Sequence, residues 1–516
     1  MLSNDPIILS LLYKYLYIAI TTIIILTGSI LVDSYQRVSR ILRITGYILV
    51  IFMILLDRFV FSFLDSISYP FLLLLGLVGV FVTLYCEGYT RVLLGLARAL
   101  QLPLDIFMVS LLLLFSSSTL MEFVVFWIIT ELIGFMLILT EGTRSAWRAA
   151  IQYLVVGALT ADFSLFTLLA IISYSVGLDK AFMYTFTNIA GLNISAGGIL
   201  TILLSLGFIA KAALVPLHFW LPDAYTIAPS PASAILSGVM EKMSIYGILR
   251  VIEVVNVDVV ILEHILIILG VVTTIYASAQ ALIQRDTKRL LSYSTMAYSG
   301  ILMSMIGVYV YTGFMQQVLY AVYILMLAHG LSKALLFVNA GSIELLANTR
   351  EIYELGYLSR IDEEGSKTIV IGTMSLLGIP STVGFIGKVV AILVLINTII
   401  TNYFLALPVL IALIFLSASG IIYGLKYLST YYGGYKPSPG RILKYSLLNI
   451  SERIGALLNV IMSIILPFLI ISYSTVGVLV VIVNSIGIIG LLVSYAFMRM
   501  QHQIRIEEPW LGGARP

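Results

Sequence analysis

Apolar residues in this chain come in blocks of roughly 20, separated by short charged or Gly/Pro-rich breaks, and a helix of that length crosses about 30 Å of hydrocarbon. The pattern leaves few options. Inside a bilayer every backbone N–H and C=O must be satisfied within the protein, so blocks of this length form helices. Of the 516 residues, 60% are hydrophobic and 11% charged, against about 25% charged in a soluble protein. A water-soluble enzyme is excluded, and the expected fold is an all-α polytopic membrane protein. The first block, from Pro6 to Val32, is too long for a secretory h-region and lacks a cleavage pattern, so it reads as a span.

Spans are expected near 8–32, 43–63, 67–86, 103–119, 121–140, 149–175 and 198–221. Further ones lie near 229–252, 260–284, 290–310, 317–342, 368–398 and 403–425. The stretch 455–498 has room for one or two more, giving 14 helices, or 15. Alternate loops then carry the basic residues: Arg37, Arg40 and Arg43, then Arg91 and Arg98, Arg144 and Arg148, and Arg285, Lys288 and Arg289. The positive-inside rule puts those loops in the cytoplasm and the N-terminus outside, in the cell membrane. The connectors 343–367 and 426–453 fall on the same side, and a basic tail (Arg499, Arg505, Arg515) joins them only with 15 spans. Asp286-Thr287-Lys288-Arg289 reads as a solvated turn opening the next helix.

A net charge of +3 is too small to suggest nucleic-acid binding. The single Cys86 excludes an intrachain disulfide, a Cys-ligated zinc site and an Fe–S cluster. Four histidines, at 218, 264, 329 and 502, are too scattered for a cage of protein ligands. No cofactor, metal or catalytic residue is expected in this chain.

The informative residues are ionisable groups near the middle of spans, where a charge costs at least ~2.5–3.5 kcal/mol on insertion scales. They are Glu131 in the fifth span, Lys211 in the seventh, Lys242 in the eighth, His329 and Lys333 in the eleventh, and Lys388 in the twelfth. Asp162 lies in the sixth. Four lysines with so few acids make a poor salt-bridge lattice, whose signs would balance. The plain alternative is that all of them snorkel or form structural pairs. Buried lysines hold their protons less firmly than solvated ones, so the series suits proton handling. Glu131 is the natural partner of Lys211. His329 and Lys333, four residues apart, share a helix face. His218, two residues after Pro216, is an auxiliary candidate for gating water near Lys211; the plain alternative is a hydrogen bond to a freed carbonyl.

Two spans are also interrupted. Pro216 in Lys211-Ala-Ala-Leu-Val-Pro216 and Pro380 in Leu377-Gly-Ile-Pro380 each lack the N–H that a helix needs, which is expected to free the carbonyls of Ala212 and Leu376. A lysine lies near each break, and interrupted helices at matching places in two halves point to inverted repeats. The expected divisions are 1–100 (three helices), 101–255 and 256–428 (two five-helix repeats, each with a broken helix), and 429–516 (connector, last helix or helices, short tail).

The stretch Lys211-Ala-Ala-Leu-Val-Pro-Leu-His-Phe-Trp-Leu-Pro-Asp-Ala-Tyr225 resembles the signature of the antiporter-like membrane subunits of respiratory complex I. Mrp-type Na+/H+ antiporters and energy-converting membrane-bound hydrogenases have subunits of the same family. Ala228-Pro-Ser-Pro-Ala-Ser-Ala234, Lys242-Met-Ser-Ile-Tyr-Gly247, Asp286-Thr-Lys-Arg-Leu-Leu-Ser-Tyr-Ser-Thr295, His329-Gly-Leu-Ser-Lys-Ala-Leu-Leu-Phe337 and Gly378-Ile-Pro-Ser-Thr-Val-Gly-Phe-Ile-Gly-Lys388 follow in the family's order. The resemblance covers roughly 100–400. It implies that Glu131 and Lys211 form a first half-channel pair, that Lys242, His329 and Lys333 connect the halves, and that Lys388 leads to the outer side. Thr130 departs from the tryptophan often found before that glutamate. The chain ends about 18 residues after the last apolar block, so the family's long lateral helix is not expected.

The resulting expectation is a proton-translocating subunit of a redox-driven respiratory or hydrogenase-type complex, with other membrane subunits, sibling antiporter-like subunits among them, and lipids as partners. Electrons would be handled elsewhere in the assembly. A Na+/H+ antiporter subunit of the same family is the main alternative. An independent solute transporter and a non-translocating structural spacer are readings of a different class.

Overall fold

The computed structural model describes residues 6–58, 64–356, 358–433, 446–471 and 484. Among them the chain is helical throughout, with no strand, only isolated bridges such as Thr119 to Thr185. In chain order the helices are α1 (Pro6–Ile30), α2 (Gln36–Leu56), α3 (Ser68–Leu94), α4 (Arg98–Phe115) and α5 (Leu120–Leu139). Then come α6 (Arg144–Gln152), α7 (Leu159–Val176), the short α8 (Leu178–Met183) and α9 (Phe186–Ala190), and α10 (Gly198–Lys211). They are followed by α11 (Trp220–Ile227), α12 (Ser230–Gly238), α13 (Met243–Val254), α14 (Val259–Ile283) and α15 (Thr287–Tyr311). The last are α16 (Gln316–Ala347), α17 (Glu363–Leu377), α18 (Val383–Ile400), α19 (Ala406–Tyr432) and α20 (Ser446–Ile471).

Eleven segments among the described residues are long and apolar enough to span a bilayer. The chain is a multi-pass membrane protein. The expected second helix within 455–498, and the basic tail, fall on residues outside the described set.

Short polar side chains start several helices by accepting an orphan N–H of the first turn: Thr119 from Glu122, Asp258 from Ile261, Asp286 from Arg289, Asp362 from Gly365 and Thr382 from Phe385. The helix α16 runs through the centre; 89% of its apolar window is buried, against 33% for α1. Around it pack α3, α12, α15, α17, α18 and α20. Where α12 ends on α16 the backbones touch: a Cβ on Gly238 would lie 3.1 Å from the Gly330 carbonyl, and one on Gly330 only 2.6 Å from that of Gly238. Glycine at both positions is what permits the crossing.

Three sequence expectations change here. Arg43 is no loop residue: it lies inside α2, fully buried, with its guanidinium 2.6 Å from Glu87. Lys288 is not solvated either; it is 1% exposed and donates to the Ala228 carbonyl. The span near 229–252 carries a break of its own, where α12 gives way to a 3-10 turn over Met240–Lys242 before α13 resumes.

Candidate functional site: a line of buried bases

The two expected breaks are present, and wider than a proline kink. Helix α10 stops at Lys211, five residues before Pro216, and α11 starts only at Trp220. The chain turns out through Ala213, which takes a left-handed φ of +53°. Pro216 therefore sits in a connecting loop, and the carbonyl of Ala210 at the helix end accepts the Ala213 N–H at 3.0 Å. The Trp220 indole donates to the same carbonyl at 2.9 Å. The second break runs from the end of α17 at Leu377 to the start of α18 at Val383, with Pro380 between.

At the first break the Lys211 ammonium, sealed from solvent, lies 3.1 Å from Glu131 Oε1 on α5. The Tyr153 hydroxyl is 3.2 Å away, and its ring sits 4.6 Å below the nitrogen. Tyr153 opens a π-helical stretch, Tyr153–Ala158, between α6 and α7. Such bulges are frequent at functional sites. Asp162, half-buried in the first turn of α7, is a second carboxylate near the pair, while the ion pair of Lys211 is with Glu131 alone. His218 is not brought to Lys211; its Nδ1 lies 3.2 Å from the Pro216 carbonyl and its ring packs edge-on against Tyr276.

The 3-10 turn between α12 and α13 brings Lys242 to α16. Its ammonium is 3.0 Å from His329 Nδ1 and also binds the carboxylate of its neighbour Glu241. Ser299 on α15 donates to the other Glu241 oxygen at 2.5 Å. The His329 ring stacks on Tyr298, 4.3 Å between centroids and 14° between planes. Lys333 does not join His329. It donates instead to the Leu291 carbonyl of α15 at 3.0 Å.

At the second break the Lys388 ammonium folds back across the gap to the last carbonyls of α17, 2.8 Å from Leu376 and 3.1 Å from Leu377. The carbonyl expected to be freed at Leu376 is thus taken by the lysine itself. Tyr298 links this point to His329, its hydroxyl 3.4 Å from the same Leu376 oxygen. Between them lies a cavity lined by Tyr298, His329, Ser332, Ser375, Leu376 and Gly384. About 10 Å³ there is open to the centre of a water molecule, room for roughly one.

Of the expected residues, the structure pairs Glu131 with Lys211 and Lys242 with His329, leaves Lys333 and Lys388 on backbone carbonyls, and sets His218 apart. Glu241, Tyr153 and Tyr298 went unnoticed in the sequence. Glu241 stands beside Lys242 in an apolar block, which is a visible signal, but adjacent residues on a helix do not face each other; only the 3-10 turn joins them. The scarcity of buried acids is also corrected. Asp105, Glu87, Glu241, Glu263 and Glu452 are all buried, several far from the line of bases. Asp105, for example, accepts from Tyr47 at 2.5 Å and from Gln101 at 2.7 Å in a network joining α2 and α4. Among the described residues no group of three or more His, Cys, Asp or Glu side chains could hold a metal ion.

The described residues form a many-helix membrane body with broken helices and buried bases beside the breaks. Residues 117–419 match the family described as "NADH:quinone oxidoreductase/Mrp antiporter, TM", and the chain belongs to that family. Component B of hydrogenase-4 from Escherichia coli (strain K12) is 30% identical over 335 residues, 63% of this chain and 49% of the relative. The chain spans about half the length of the curated relatives it matches. By structure it is similar to a chain of the membrane-bound sulfane sulfur reductase, an archaeal respiratory membrane complex, with TM-score 0.71, 19% identity, and coverage of 92% of this chain and 98% of that one. A chain of the Mrp complex from Dietzia sp. DQ12-45-1b gives TM-score 0.71 and 20% identity, over 96% of this chain and 57% of that one. Both likenesses are of fold.

Proposed function

We propose that this chain is an antiporter-like, proton-translocating membrane subunit of a redox-driven respiratory or hydrogenase-type complex in the cytoplasmic membrane, with its N-terminus outside. The observation that carries the reading is the sealed contact between Lys242 and His329, two bases 3.0 Å apart on different elements. Two such groups cannot both be charged at that distance without a large penalty, so a proton on one disfavours a proton on the other. That exclusion is what a relay needs.

In this reading Lys211 is loaded when its pairing with Glu131 weakens, with Asp162 competing for it and Tyr153 fixing its position. The proton moves by Lys242 and His329, past Lys333, and Lys388 releases it. Glu241 offsets the charge on Lys242 and Tyr298 spaces His329 from Lys388. The breaks α10–α11 and α17–α18 support two five-helix halves of inverted topology, and a total of 14 spans follows when α6–α7, α10–α11, α12–α13 and α17–α18 each count once. Partner subunits, sibling antiporter-like chains among them, would handle electrons and deliver energy, with no cofactor in this chain. Replacing Lys211 or Lys388 by Met is expected to abolish proton movement in vesicles carrying the parent complex while the complex still assembles. Wild-type pumping by both variants would remove the proposal.

Na+/H+ exchange is a second reading, favoured by the match to a family that includes Mrp antiporters. It predicts ion movement that follows added Na+ and persists with a protonophore, where the proton reading predicts collapse.

A further inference from the structure

Glu452 on α20 lies beyond the 117–419 family match and plays no part in the relay above. It is 2% exposed and no lysine or arginine pairs with it among the described residues; its neighbour Arg453 turns outward to Glu364 at 2.7 Å. One carboxylate oxygen accepts from Ser342 of α16. The other is sealed from solvent with no hydrogen-bond partner among the described residues. A buried carboxylate without a cation is costly as an anion, and ionisable groups kept at membrane depth are functional candidates by default.

What surrounds Glu452 leads to the surface. Asn339 stands one turn before Ser342, the residue that donates to Glu452, on α16. The Asn339 amide donates to the Tyr431 hydroxyl at 3.1 Å, and Tyr431 donates to Asp362 Oδ2 at 3.1 Å. Asp362 is the half-buried cap of α17, at the edge of the connector between α16 and α17. The other groups facing Glu452 are hydroxyls: Tyr85 from α3, 3.3 Å from Ser342, and Tyr427 from α19, 3.2 Å from Asn339. In the other direction α20 continues the same face with Asn459, seven residues and about 10 Å further along the axis. Ser332 donates to Asn459 at 3.2 Å and lies 2.6 Å from Ser375, and both serines line the cavity beside His329. Between Glu452 and Asn459 the side chains of Leu335 and Phe81 close over Gly455.

We infer that Glu452 is a second proton-loading site, filled from the connector side through Asp362, past Tyr431, and separated from the His329–Lys388 cavity by the Leu335–Phe81 seal. The inference rests on the proton-relay reading. A proton from water is taken up at Asp362 and carried to Glu452 by a water entering beside Tyr431 and Asn339; the bonds of these two run outward, from Asn339 to Tyr431 and from Tyr431 to Asp362, so they hold the path open and do not themselves carry the proton. The net change is one proton moved inward, leaving Asp362 ionised and Glu452 neutral. Wetting of the seal passes that proton to the cavity and regenerates the Glu452 carboxylate.

The test uses the purified parent complex in proteoliposomes, following turnover, proton uptake and the infrared band of protonated carboxyl groups. Glu452→Gln keeps the size of the side chain and should slow proton uptake at least about tenfold and remove one carboxyl band, while Glu452→Asp restores both in part. Asp362→Asn and Tyr431→Phe should slow uptake with the Glu452 band retained. Wild-type uptake by Glu452→Gln, or an unchanged band, overturns the inference. If that variant does not assemble, wild-type uptake by Tyr431→Phe overturns it. Uptake that follows Na+ and loses this dependence in Glu452→Gln makes the site a Na+ site, which also overturns it. Lys211→Met and Lys388→Met run alongside separate the two levels: if both pump normally, the relay reading fails whatever Glu452 does.

Discussion

The Lys388 ammonium rests 2.8 Å from the carbonyl of Leu376, so one side chain of α18 holds shut the end of the helix before it. Its stem runs directly over Gly378, where a Cβ would come within 2.8 Å of Lys388 Cδ. Gly378 also has a left-handed φ of +79°. Break and base form a single unit, and its parts can be tested apart.

Lys388→Met removes the donor, leaving the Leu377 carbonyl without it and the Leu376 carbonyl with only the long bond from Tyr298. The expected cost is about 1–3 kcal/mol, read as a lower Tm of the detergent-solubilised complex, together with loss of proton movement. Arginine at 388 should recover part of the Tm without the translocation, because a guanidinium does not give up its proton.

Gly378→Ala should destabilise by about 1–2 kcal/mol from the left-handed backbone alone, and more where the new methyl displaces the Lys388 stem. A thermal melt checks the first effect. The displaced stem should appear as slower proton movement at unchanged assembly.

Glu131→Gln strands the Lys211 charge in a sealed site, and breaking a buried pair this way costs about 3–5 kcal/mol. The double variant Glu131→Gln/Lys211→Met should recover most of that stability and none of the proton movement. Asp162→Asn, which leaves the direct pair in place, should slow movement less than Glu131→Gln does. Thermal melts and dye-monitored uptake on the four proteins separate the two roles.

The pair Arg43–Glu87 serves as a counter-case, since it lies away from the line of bases. Glu87 binds Arg43 at 2.6 Å and Arg40 at 2.8 Å. Glu87→Gln should lower Tm as strongly as Glu131→Gln while protons moved per turnover stay at the wild-type ratio. A changed ratio would show that the α2–α3 network takes part in transport.

Much of this was legible in the sequence because the bilayer makes charge and proline conspicuous. Glu131, Lys211, Lys242, His329 and Lys388 stand out among apolar neighbours, and Pro216 and Pro380 mark the two breaks. Other parts left no such mark. The break after Gly238 contains no proline, and it lies beside a backbone contact with Gly330, a residue 92 positions away. Arg43 and Lys288 lie at the ends of apolar blocks, where basic residues ordinarily meet solvent, and only tertiary packing buries them. The Lys388 turn-back was hidden too: eight residues read as helix place it about 12 Å past Pro380, and only the fold-back of its side chain brings the ammonium to Leu376 and Leu377.

The contact of Gly238 with Gly330 has one more consequence. With main chain against main chain there is no side-chain layer at that crossing, so a side chain added to either glycine would have to push α12 away from α16. His329 is the residue just before Gly330 and Lys242 follows Gly238 by one 3-10 turn, so the same crossing sets the 3.0 Å between imidazole and amine.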